Sequence, residues 1–103
     1  MKQCLSYGDL KDFHIKKIER IATKFGQYGN CFSADGETCN LAKLSERITI
    51  GRLIEVINND FSICMWHEGH KGWVVTPIAD WDDRKWIGED LCTALWNVMK
   101  DDI

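Results

Sequence analysis

Apolar positions recur along this chain with two different periods. Between residues 9 and 25, Leu10, Phe13, Ile18, Ile21, Ala22 and Phe25 fall on one helical stripe. Lys11, Lys16, Lys17, Arg20 and Lys24 lie mostly off it, and His14 sits at its flank. Ser6 and Asp9 have the S-x-x-D spacing of a capping box and Gly26 is a natural stop, so one helix is predicted over residues 9–25. A short second helix is expected through Leu41, Ala42, Leu44 and Arg47, with Asn40 as its cap. A third runs through Ile50, Leu53, Ile54 and Ile57 behind Thr49. The β-branched residues Ile48, Thr49 and Ile50 support a strand over 47–50 as the competing reading, against which stand Gly51 and the helical spacing that follows.

The period becomes two at residue 61. Phe61, Ile63 and Met65 alternate with Ser62, Cys64 and Trp66, and Trp73, Val74, Val75 and Thr76 form a β-branched and aromatic run. Residues 67–72, HEGHKG, are polar or glycine, so the stretch 61–78 predicts a β-hairpin. A turn centred between Gly69 and His70 would set Trp66 against Trp73. Pro77 lacks an N–H, so the second strand should end there or lie at an edge. Earlier, YGNCFS at 28–33 reads as a short strand and ADGE at 34–37 as a turn. After the hairpin, Asp80 or Asp82 is expected to cap a last helix that buries Ile87, Leu91, Ala94, Leu95 and Val98. Gly88 is unfavourable in a helix by about 1 kcal/mol relative to Ala, so a start beyond it is the alternative. Asp101 and Asp102 oppose the helix dipole, and the last turn is expected to fray.

The predicted order is helix, short strand, helix, turn, helix, hairpin, helix. It specifies an α+β fold with helices packed on a small antiparallel hairpin sheet, in one domain over residues 1–103. This order resembles that of a winged helix domain over residues 9–78. The resemblance implies that the third helix offers Thr49, Arg52 and Asn58 to a DNA groove, and that Lys71 on the wing meets phosphate. An unrelated α+β arrangement is the alternative.

Composition narrows the partners. The chain is 45% apolar and 28% charged, ordinary values for a folded domain, with a net charge of −3. The charge is uneven: +1 over residues 1–60 and −4 over residues 61–103. A whole-protein attraction to nucleic acid or to an anionic membrane is not expected, although the basic face of the first helix leaves a local contact open. No apolar run approaches the roughly 18 residues of a membrane span, and the first residues have no signal-like apolar core. We therefore expect a cytoplasmic protein. The five cysteines are odd in number, contain no CxxC, and are expected to be free thiols.

Candidate chemistry is sparse. His67 and His70 with Cys31 and Cys39 are the most zinc-like set, but seven residues separate the cysteines and HEGH lacks the helical HExxH spacing, so no metal is expected. Cys64 near His67 or His70 is a weak nucleophile–base candidate. Asp80, Asp82 and Asp83 lack the ligand spacing of a calcium loop. There is no phosphate-binding or nucleophile-elbow motif, so neither enzyme activity nor a cofactor is expected. The informative excess is tryptophan: all five lie in the acidic second half. Tryptophan serves either a core or a binding hot spot. Two functions follow: a winged-helix-like regulator touching DNA, or an acidic inhibitor or adaptor of the kind phages and mobile elements encode. The latter would bind a protein, or a second copy, through Trp66, Trp73, Trp81, Asp82 and Asp83.

Overall fold

The computed structural model describes residues 2–103. Six helices and three strands follow in the order α1 (Tyr7–Leu10), α2 (Ile15–Lys24), α3 (Tyr28–Cys31), α4 (Leu41–Arg47), α5 (Ile50–Asp60), β1 (Ile63–His67), β2 (Trp73–Pro77), β3 (Trp86–Gly88) and α6 (Leu91–Asp102). The fold is α+β, with one antiparallel sheet in the order β1-β2-β3. Among the described residues no helix is long and apolar enough to cross a membrane.

The single helix predicted over 9–25 is two helices. Asp9 does accept from the N–H and hydroxyl of Ser6, at 2.7 and 3.1 Å, but α1 lasts only one turn. His14 then starts α2 by accepting the Lys16 N–H on Nδ1 at 3.1 Å. The break falls where the stripe jumps five residues from Phe13 to Ile18, a step that fits neither i+3 nor i+4. At the far end Gly26, with φ 68°, closes α2 through bonds from Gly26 N–H to Thr23 and from Gln27 N–H to Ala22. The guanidinium of Arg52 adds a third bond, to the Phe25 carbonyl at 3.0 Å.

The expected strand at 28–33 is instead the helical turn α3, followed by an isolated bridge between Phe32 and Cys39. Among the described residues no strand from the first half joins the sheet. The caps of α4 and α5 are Asn40 and Thr49, which accept from Lys43 and Arg52 N–H groups. Leu53 and Ile57 are buried on α5, and Ile54 is half-buried. Residues 47–50 form no continuous strand, since Ile48 is the buried C-cap of α4. Thr49 does make an isolated antiparallel bridge with Cys4, through bonds from Leu5 N–H to Ile48 C=O and from Ile50 N–H to Gln3 C=O, both at 3.0 Å.

The last helix starts later than Asp80 or Asp82 would place it. Its N-cap is Asp90, which accepts from Thr93 N–H at 2.8 Å. Residues 86–88 form β3, so Ile87 belongs to a strand and not to the helical stripe. Gly88 is needed there because α6 crosses β3 closely: a Cβ on Gly88 would lie 2.3 Å from the Ala94 nitrogen. The last turn of α6 is held, since Asp101 accepts from the Trp86 indole N–H at 2.6 Å.

One continuous cluster of buried side chains joins Leu10, Ile18, Ile21 and Phe25 to Leu44, Leu53 and Ile57, and on to Val75, Trp86, Leu95, Trp96 and Met99. At 25 cal/mol per Å², each such side chain contributes roughly 1.5–3 kcal/mol towards folding. Trp96 also meets Phe13 edge-on, with ring centroids 6.1 Å apart, which ties α6 to the residues just before α2.

Candidate binding groove and sheet edge

The hairpin register decides where its tryptophans point. His67 pairs with Trp73 and Trp66 with Val74, so the turn is centred on His70, half a residue from the position that would oppose the two tryptophans. Trp66 and Trp73 consequently lie on opposite faces of the sheet. Trp73 meets the His67 ring edge-on at 5.5 Å on the side that also carries Met65, Val75 and Trp86. Trp66, Val74 and Ile87 form a row across all three strands on the outer face. Val74 is fully buried yet lies outside the main core cluster, between Trp66 at 39% exposed and Ile87 at 46%. Cys64 and Thr76 share this face, sulfur to hydroxyl at 3.2 Å.

A second feature lies where β2 runs on towards β3. Asp60, Phe61, Ser62, Pro77, Ile78, Ala79, Trp81, Asp82 and Arg84 line an open groove of about 580 Å³. Trp81 is 86% exposed and Ile78 58%, so two large apolar side chains stand in water at its rim. The floor is firm. The Arg84 guanidinium lies 5.1 Å from the centres of both the Phe61 and Trp86 rings. Its Nε and Nη2 donate to Asp82 at 2.9 and 2.7 Å, a bidentate pair. These bonds hold the Asp82 carboxyl below the usual carboxylate range. Pro77 fits because its register opposite Ile63 asks for no N–H on the β1 side, and β3 begins too late to need one on the other.

The structure gathers only part of the protein-binding set expected from sequence. Trp81 and Asp82 share the groove, with Asp83 exposed on the same loop. Trp66 is on the outer sheet face and Trp73 on the inner. Phe61, Ile78 and Arg84 went unnoticed, although an apolar residue just past a strand-ending proline is a readable signal for Ile78. The DNA-facing set is dispersed. Thr49 and Asn58 are nine residues apart, about half a turn out of phase on α5, and thus on opposite sides of it. Thr49 is engaged as a cap, while Arg52 donates to Phe25 and, at 2.7 Å, to Glu55. Lys71 is exposed at the hairpin tip.

The remaining chemistry does not converge. Cys31 and Cys39 sit around the 32–39 loop, whereas His67 ends β1 and His70 lies at the centre of the hairpin turn. Among the described residues no three His, Cys, Asp or Glu side chains gather as a metal site. All five cysteines are free thiols. Burial pushes the Cys92 thiol up to about 11, and burial likewise raises those of Cys31 and Cys39, so none of the three is an activated nucleophile. Compared with protein-family models, curated proteins and solved structures, the chain matches none.

Proposed function

We propose that the protein is a non-enzymatic inhibitor or adaptor that binds a protein partner in the Phe61–Trp81 groove. The observation that carries this is Trp81, left 86% exposed beside a pre-built aromatic and guanidinium floor. A tryptophan in that position contributes nothing to the core and supplies the buried anchor on which interfaces depend. Charge defines the occupant. Residues 78–83 carry three carboxylates and no cation, within a half whose net charge is −4. The fitting partner is a segment with one large apolar side chain flanked by lysine or arginine.

A displayed library of random peptides tests this. Enriched peptides should combine an apolar anchor with basic flanks and weaken with salt. Trp81→Ala should reduce their affinity roughly thirtyfold, as expected for a hot spot of about 2 kcal/mol, without moving the melting temperature. Enriched peptides that bind Trp81→Ala as tightly as the wild type, or no enrichment, would end the reading.

A second reading, a winged-helix-like regulator, draws support from the succession of α4, a two-residue turn, α5 and the hairpin. It relies on Thr49, Arg52, Asn58 and Lys71 for DNA contact. It predicts modest binding to duplex DNA that falls steeply with salt and weakens in Lys71→Ala. Titration against a pool of random duplexes at low salt separates it from the protein-binding reading.

A further inference from the structure

β1 leaves one set of backbone groups open. Ser62 C=O accepts from Ile78 N–H at 3.0 Å, and Glu68 N–H donates to Gly72 C=O at 2.8 Å. Hydrogen-bonded pairs alternate along an antiparallel ladder, so Cys64 and Trp66 bond to β2. The N–H and C=O groups of Ile63, Met65 and His67 therefore point away from the sheet. Among the described residues no hydrogen bond engages them. The other edge is short and offers less: β3 has three residues, and its outward carbonyl, on Ile87, accepts from Asn97 Nδ2 at 2.9 Å.

Edge strands are normally blunted by lysine, proline, a bulge or a covering element. β1 contains no Lys, Arg, Asp, Glu or Pro, and its pairing with β2 is unbroken over five residues. The outer face beside it, with Cys64, Trp66, Val74, Thr76 and Ile87, is equally free of charge. This neutrality selects the occupant. A two-fold pairing brings every charge of the strand into the interface twice, and like charges set on the axis or diagonally across it destabilise a strand pair. A strand without charge pairs with its own copy at no such cost. A basic partner would instead be drawn to the carboxylates of the 78–83 loop.

We propose that two copies of this chain pair antiparallel through β1, with the two-fold axis at Met65. Only that register uses all three outward residues: Ile63 pairs with His67 of the second copy, Met65 with Met65, and His67 with Ile63. The product is a continuous six-stranded sheet. Trp66 lies opposite Cys64 of the second copy, where a small side chain leaves it room, and its exposed ring is covered. The pairing does not involve Trp81, so it stands or falls separately from the groove.

Light scattering across a concentration series should show a monomer–dimer equilibrium, unchanged in Trp81→Ala. Cys64→Lys sets a long side chain opposite Trp66 of the second copy, where the small cysteine had left room, and a charge diagonal to its own copy. It should raise the dimer dissociation constant at least about tenfold. Met65→Pro removes an N–H that has no partner within the chain, and should abolish the dimer. Trp66→Cys should form an intermolecular disulfide with Cys64 on treatment with diamide, because the two residues face each other in a close, non-hydrogen-bonded pair. A wild-type protein that stays monomeric at every concentration would overturn the proposal. So would a dimer that survives Cys64→Lys and whose Trp66→Cys form does not cross-link.

Discussion

Replacing Trp86 and Trp81 in turn should give opposite results, although both are tryptophans a few residues apart in the acidic half. Trp86 is 7% exposed, packs beside Phe61 with centroids 6.3 Å apart, and lies under Arg84. Its indole N–H also donates to Asp101 at 2.6 Å. Truncation to alanine removes a buried ring from a site walled by β2 and α6, for which about 3–5 kcal/mol is the expected loss. For a domain of this size each kcal/mol lowers the melting temperature by about 4–8 °C, so the fall should exceed about 12 °C. Trp86→Phe separates the terms. It keeps most of the packing and removes the bond to Asp101, whose exposed carboxylate can rehydrate, so about 1–2 kcal/mol is expected. Trp81→Ala should stay within about 0.5 kcal/mol of the wild type, as a surface substitution does. Thermal melts followed by circular dichroism measure all three. If Trp81→Ala destabilises as much as Trp86→Ala, Trp81 belongs to the core and the groove reading loses its anchor.

Other substitutions test the fold at single points. Gly88→Ala should destabilise strongly in chemical denaturation, because the added methyl would meet the Ala94 and Thr93 backbone, which cannot yield as a side chain tip would. Asp90→Ala should cost about 1 kcal/mol as the loss of an N-cap, whereas Asp80→Ala should leave stability unchanged. Burial raises the Asp9 carboxyl, but bonds from Lys2 and Ser6 outweigh it and leave the folded value below the usual one. Its contribution is thus present above the ordinary carboxylate range and lost as pH falls through the lowered value. The stability gap between wild type and Asp9→Asn should accordingly close below about pH 4. In alkylation at neutral pH, exposed Cys64 should label first and Cys92, fully buried and pushed up to about 11, last.

The sequence by itself determined the elements whose signals are local. Asn40 and Thr49 cap α4 and α5 because a short polar side chain can reach an N–H three residues on. Gly26 ends α2 because its positive φ is costly for other residues. The alternation from Phe61 and the run from Trp73 made a hairpin, and the α+β class followed. Tertiary structure decided what depends on distant contacts. A three-residue β3 carries too little pattern to be read, and it exists because β2 offers it a ladder and α6 covers it at Gly88. The five-residue step from Phe13 to Ile18 was a visible gap in the stripe, but whether the helix ran through it was not local, because His14 could serve as a cap only once the chain turned there. The roles of the five tryptophans depended most on packing. Composition could say that they were in excess, but a half-residue shift in the turn centre put Trp66 and Trp73 on opposite faces. Contacts 15 residues apart in sequence sealed Trp86 against Asp101 while leaving Trp81 in water. Period and capping act over one turn of chain, whereas register and burial are set by the neighbours that folding brings together.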